Sequence, residues 1–123
     1  MGTESAFGNT DVAIRTALKK AYNDAGIKIL VSAFGSTDEP THLDPVVVAT
    51  NLAKFVNDYD LDGADIDYED NGAMEAGKGE AWLITFTTKL RSLMPNKVIT
   101  HAPQAPYFKE DHYQKGGYIK VDR

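Results

Sequence analysis

The amino-acid sequence predicts an α/β fold built on a parallel sheet, and three observations carry that reading. Stretches with apolar residues at helical spacing alternate with short runs rich in β-branched residues, which is the pattern of βα units. The clearest of those runs is short and almost uncharged, as strands buried in parallel sheets are. The chain has 123 residues, 42% of them apolar and 25% charged, a composition suited to one globular unit with its own core. Residues 1–123 are therefore read as a single domain.

Residues 1–8 read as a frayed beginning. Over residues 9–23, Val12, Ala13, Ala17, Leu18, Ala21 and Tyr22 recur at helical steps behind the capping oxygens of Asn9, Thr10 and Asp11. Gly26 stops that helix. Residues 27–34, IKILVSAF, predict a strand buried on both faces, and residues 35–43 a polar loop. Asp44 and Pro45 supply a cap and a first-turn proline. Val48, Leu52, Phe55, Val56 and Tyr59 then carry a second helix to about residues 57–59. Residues 61–69 alternate as a second strand, and residues 70–79 form a glycine-rich loop. A third helix spans roughly residues 80–94, with Leu83, Phe86, Leu90 and Leu93 on one face and Pro95 beyond it. Its register across residues 81–86 stays open. Residues 97–102 give a third strand, and residues 103–123 read as a loop leading into further structure.

Charge and residue usage narrow the function classes. Thirteen Lys and Arg against eighteen Asp and Glu leave a net charge of −5 with no basic stripe, which argues against nucleic acid and anionic membrane surfaces as partners. No apolar run approaches the ~20 residues of a membrane span. The first eleven residues lack the pattern of a signal peptide. With no cysteine, disulfides, thiol nucleophiles and cysteine-based zinc sites are excluded.

The informative stretch runs from Asp62 to Glu69. Side chains alternate along a strand, so Asp65, Asp67 and Glu69 project from one face while Ala64, Ile66 and Tyr68 project from the other. Neighbours on one face stand ~6.6–7 Å apart. Three acids on a buried face repel one another and lose hydration, which favours retention of a proton. A protonated carboxylic acid beside an ionised one is what glycosidic cleavage needs. Two other readings stay open: a divalent-cation site of oxygen ligands, and a solvated acidic strand face.

Residues 61–69, L-D-G-A-D-I-D-Y-E, resemble the D-G-x-D-x-D-x-E signature of family 18 glycoside hydrolases, the chitinases and endo-β-N-acetylglucosaminidases. Asp62, Gly63, Asp65, Asp67 and Glu69 all match it. Residues 26–36 are similar to that family's third barrel strand, which ends in S-x-G-G; Ser32 and Gly35 match, and Phe34 replaces the first glycine. Residues 98–108 resemble the fifth strand, with Ala102, Pro103 and Gln104 as its A-P-Q, and residues 116–121 resemble the approach to the sixth. The resemblance implies a (β/α)8 TIM barrel of which this chain holds about half, strands three to five with their helices. It implies Glu69 as general acid, Asp67 as the group that holds the substrate's N-acetyl arm, and Asp65 sharing a proton with Asp67. It further implies substrate-assisted, retaining hydrolysis of β-1,4-linked N-acetylglucosamine in chitin or an N-glycan core, with no metal and no cofactor. The parent family is secreted. The sixth-strand tyrosine and last-strand tryptophan of the family have no counterpart, so the chain is expected to self-associate or to need further barrel segments. The alternative reading is a glycan-binding or inactive chitinase-like protein.

Among the remaining residues, Gln104 and Tyr107 are candidates for substrate binding, as is Phe34 at the glycine position. Phe108 offers a second aromatic beside Tyr107. Tyr68 and Trp82 read as packing residues, and His101 as a structural hydrogen-bonding residue. His42, His101 and His112 have no metal-like spacing.

Overall fold

The computed structural model describes residues 12–103. The readings made for residues 1–8, for Asn9, Thr10 and Asp11, and for the tail from Gln104 onward, including Tyr107, Phe108 and His112, lie outside them. In chain order the elements are α1 (Val12–Asp24), β1 (Leu30–Phe34), a 3-10 turn (Pro40–His42), α2 (Pro45–Asp58), β2 (Gly63–Asp67), a short α3 (Asn71–Glu75), α4 (Gly79–Leu93) and β3 (Val98–His101). The three strands form one sheet in the order β1-β2-β3, both pairs parallel. Among the described residues β1 and β3 are its edges.

Each strand is shorter than its sequence run. The Asp62 side chain explains where β1 begins. It accepts the Ile29 N–H at 2.7 Å, while its own N–H reaches the Ile29 carbonyl at 2.8 Å. A side chain thus replaces the ladder bond below Leu30. At the other end Phe34 takes a positive φ of 78°, and the strand stops. The expected loop over residues 70–79 contains α3, because Asp70 caps it by accepting the Ala73 N–H at 3.2 Å. The glycines at 72 and 77 had masked that cap.

Helix α2 starts as read. Asp44 accepts the N–H groups of Val46 and Val47, and Pro45 occupies the first turn. Ala49, Leu52, Ala53 and Val56 bury one face of α2 against Leu83, Phe86 and Leu90 of α4 and against the sheet. The small residues Ala49 and Ala53 let the helices approach and were not part of the sequence-derived face. In α4 the buried set is Trp82, Leu83, Phe86, Thr87 and Leu90, which settles its register. Leu93 falls outside that stripe, and Met94 is buried in its place.

The sheet is covered on one side by described elements. Val31, Ala33, Ala64, Ile66 and Ile99 face the helices and are buried. Ser32 and Thr100 are exposed, and Asp65 and Asp67 half-buried. The two-sided burial expected for residues 27–34 is therefore not what the described residues show. In helix α1 none of the residues is buried, and Val12, Ile14, Leu18 and Tyr22 are exposed. Its apolar spacing is real, but no described element lies along that stripe. Polar groups hold it instead. Lys19 pairs with Asp60 and Asp62, Asn23 donates to Asp62, and the Arg15 guanidinium lies over the Tyr59 ring.

Candidate functional site

The site is built on β2, the central strand. At its entry Asp62 points away from the sheet's carboxyl end and is 14% exposed. Burial pushes its carboxyl upward, but the Ile29 N–H, the Asn23 amide and the Lys19 ammonium outweigh that and hold it below its ordinary value of 3.8. Asp62 is thus a tie between α1, β1 and β2. Gly63 is required by the close approach of β3. A Cβ placed there would stand 1.9 Å from the Val98 carbonyl oxygen, so no other residue allows this pairing.

Further along, the register sets Ser32, Asp65 and Thr100 side by side across the three strands. The Thr100 hydroxyl donates to Asp65 Oδ1 at 2.6 Å, and the Ser32 hydroxyl reaches Oδ2 at 3.4 Å. The first is a short hydrogen bond to a carboxylate, and the second is at the limit of one. Asp67 follows on the same face, paired in register with Phe34. Its carbonyl takes the Gly35 N–H at 2.9 Å, which closes β1 onto the end of β2. Glu69 lies two residues beyond the end of β2, half-buried, and its carbonyl accepts the Asn71 N–H at 2.8 Å. The carboxylates of Asp67 and Glu69 receive no hydrogen bond and no ion pair from the described residues. The arrangement therefore offers an anchored carboxylate, Asp65, and an open one, Asp67, on one face of the central parallel strand, with the open carboxylate of Glu69 just beyond the strand's carboxyl end.

The opposite face of the same segment is packing. Tyr68 is buried, hydrogen-bonded to the Thr41 hydroxyl and set against Trp82. Burial pushes its phenol up to about 12, and the nearby Asp70 charge adds to that. Trp82 is buried and its indole N–H donates to the Leu43 carbonyl at 2.9 Å. These contacts pin the loop after β1 at two points, to the end of β2 through Tyr68 and to α4 through Trp82. His101 pairs in register with Ile66, on the helix side.

Phe34 has an unusual position. By register it belongs to the acid face, yet its positive φ carries the ring to the helix side, where it meets Trp82 edge-on at 5.8 Å and Phe86 at 5.5 Å. It also walls a cleft of about 290 Å³ with Pro40, Leu43 and Val48, rimmed by Asp38 and His42. None of Asp65, Asp67 and Glu69 lines that cleft, so it is separate from the acid row. Gln104 and Tyr107 lie outside the described residues. Among the described residues, no group of three His, Asp or Glu side chains is placed to hold a metal ion, and no helix is long and apolar enough to cross a membrane. Thr100 and the Asp62 partners Asn23 and Lys19 were missed by sequence reasoning. Only the strand register brings them to the motif.

Comparison with known proteins bears on this arrangement. A probable chitinase of Penicillium expansum is 37% identical over 91 residues, 68% of this chain and 6% of that protein. The crystal structure of a GH18 chitinase from Pseudoalteromonas aurantia matches with a TM-score of 0.73 and 36% identity, over 84% of this chain and 40% of that one. The chain thus spans a small part of the first and less than half of the second. No protein-family profile matches it. The chain is similar to GH18 chitinases, and the likeness covers part of their length.

Proposed function

We propose that this chain, chitinase-like over part of the length of a family 18 glycoside hydrolase, supplies the acid row of a site that cleaves β-1,4-linked N-acetylglucosamine in chitin or an N-glycan core. The observation that carries the reading is the placement of Asp65 and Asp67 on the sheet face that no described element covers, with Glu69 just past the carboxyl end of β2. Barrel enzymes assemble their catalytic groups at that end of the strands. The (β/α)8 architecture is part of the proposal, with β1, β2 and β3 as its third, fourth and fifth strands and residues 1–123 as one partial catalytic domain.

In this mechanism Glu69 gives its proton to the glycosidic oxygen as the bond from the anomeric carbon to that oxygen breaks. The carbonyl oxygen of the substrate's own N-acetyl group forms a bond to the anomeric carbon, giving an oxazolinium ion. Asp67 holds the N-acetyl arm and offsets the developing positive charge, with Asp65 behind it sharing a proton. Water then adds to the anomeric carbon as its bond to the N-acetyl oxygen breaks, and gives up a proton to Glu69, so the N-acetyl group is restored and the configuration is retained. The family is an exception to the two-carboxylate nucleophile scheme. Gln104 and Tyr107 remain candidates for contacts to sugar hydroxyls and a sugar face, whereas the Phe34 ring walls a cleft separate from the acid row. The backbone edges of β1 and β3 are completed by further barrel segments or by a second copy of the chain.

Hydrolysis of a chromogenic chito-oligosaccharide by the chain and by Glu69→Gln tests the assignment. Loss of the transferable proton lowers turnover by ~10²–10⁴-fold while sugar affinity persists. Equal turnover by the two proteins excludes Glu69 as the acid. Sugar binding without turnover by the native chain points to the glycan-binding reading instead.

A further inference from the structure

We infer that Thr100 is a positioning residue for the acid row: its hydroxyl locks the Asp65 side chain in one rotamer on the uncovered sheet face. The inference rests on the proposed glycosidase reading and adds to it a residue from a different strand, outside the acidic motif. Three observations support it. Thr100 stands directly across from Asp65 in the parallel register of β2 and β3. Its hydroxyl donates to Asp65 Oδ1 at 2.6 Å, whereas the only other described donor, Ser32, sits at 3.4 Å from Oδ2. Thr100 is also β-branched, so its own χ1 is stiff and its hydroxyl is aimed by the strand rather than by chance.

The consequence concerns the spacing of acids. Asp65 and Asp67 leave the same face of one strand, ~6.6–7 Å apart at the backbone. Whether their carboxyl groups can share a proton depends on which way each leans. Among the described residues Asp67 receives no hydrogen bond, whereas Asp65 is held by the Thr100 hydroxyl. A cross-strand Thr–Asp pair can also serve the sheet alone. The two roles differ in what they move: a sheet pair changes melting, while a positioning residue changes the rotamer of Asp65 and turnover at constant substrate affinity.

Thr100→Val and Thr100→Ser in the full chain separate them. Val keeps the shape and β propensity of Thr and removes only the donor; Ser restores it. Carbon-13 NMR of the Asp65 side chain should show χ1 couplings of a single rotamer in the native chain and in Thr100→Ser, and averaged couplings in Thr100→Val, with Asp67 unaffected. On a chito-oligosaccharide, Thr100→Val should lower kcat by about ten-fold, the scale of one hydrogen bond to a charged group, with KM little changed, and Thr100→Ser should recover it. Unchanged Asp65 couplings in Thr100→Val overturn the inference, as does a lowered melting temperature with unchanged kcat. If the native chain hydrolyses nothing even when co-folded with the remaining barrel segments, the glycosidase reading fails, and the NMR couplings alone decide whether Thr100 orients Asp65.

Discussion

On the helix side of the sheet, Ala33, Ala64 and Ile66 are completely buried beneath α2 and α4. On the other side, one residue away along the same strands, Ser32 and Thr100 are exposed and Asp65 and Asp67 half-buried. Both faces share one hydrogen-bonded ladder, so they cannot move apart. The difference teaches that β2 divides its labour by parity. Even-numbered residues anchor the strand in the core. Odd-numbered Asp65 and Asp67 carry carboxylates on a backbone held by that anchoring, and of the two only Asp65 receives hydrogen bonds from described residues, Ser32 and Thr100.

The sharpest way to break this comparison is to swap which face is disturbed. Ile66→Ala removes a fully buried side chain beneath the helices and should cost ~2–5 kcal/mol in denaturant unfolding. Asp67→Asn, next to it in sequence, should change stability by no more than ~0.5 kcal/mol. Comparable losses from both would mean that the acid face is also structural.

A second test lies at the foot of the strand. Gly63→Ala forces a Cβ against the Val98 carbonyl oxygen. Backbone must shift there, at a cost of ~1–3 kcal/mol. Amide hydrogen exchange should localise the damage to the β2–β3 pairing. An Ala variant with native protection at Val98 and Thr100 would show that β3 approaches less closely than described.

The smallest effect contrasts Asp62, an acid tied by donors, with the open acids of the motif. Its carboxyl is held below its ordinary value in the folded chain, so the unfolded chain binds the proton more readily. Stability from Asp62 is then fully present above about pH 4 and is lost as the pH falls through the depressed native value. The melting temperature should decline on acidification below pH 4, and the decline should be shallower in Asp62→Asn. Identical acid limbs would remove Asp62 as a stability group.

How far the sequence reached can be judged from particular elements. Asp44, Pro45 and the apolar steps of α2 placed that helix to within a residue, because a cap and a 3.6-residue period are local signals. The parallel order of three strands followed from the helix-strand alternation. The helix at residues 71–75 was missed because the glycines around it read as a loop, although Asp70 caps it. Helix α1 was found, but none of its residues is buried; periodicity reports which residues share a face and is silent on what lies against it.

The acid row shows the same division. Alternation within residues 61–69 was enough to put Asp65 and Asp67 on one side of β2 and Ile66 on the other, since the period of a strand is 2 and needs no partner to be read. Likewise the D-G-x-D-x-D-x-E spacing sufficed for the resemblance to family 18 glycoside hydrolases. Only the tertiary structure decided that Thr100 stands across from Asp65, that a Cβ at position 63 would strike Val98, and that Phe34 turns its ring toward Trp82. Those outcomes depend on the register between strands distant in the chain and on one backbone angle, which are set by packing of the whole sheet against α2 and α4 and leave no mark in local spacing.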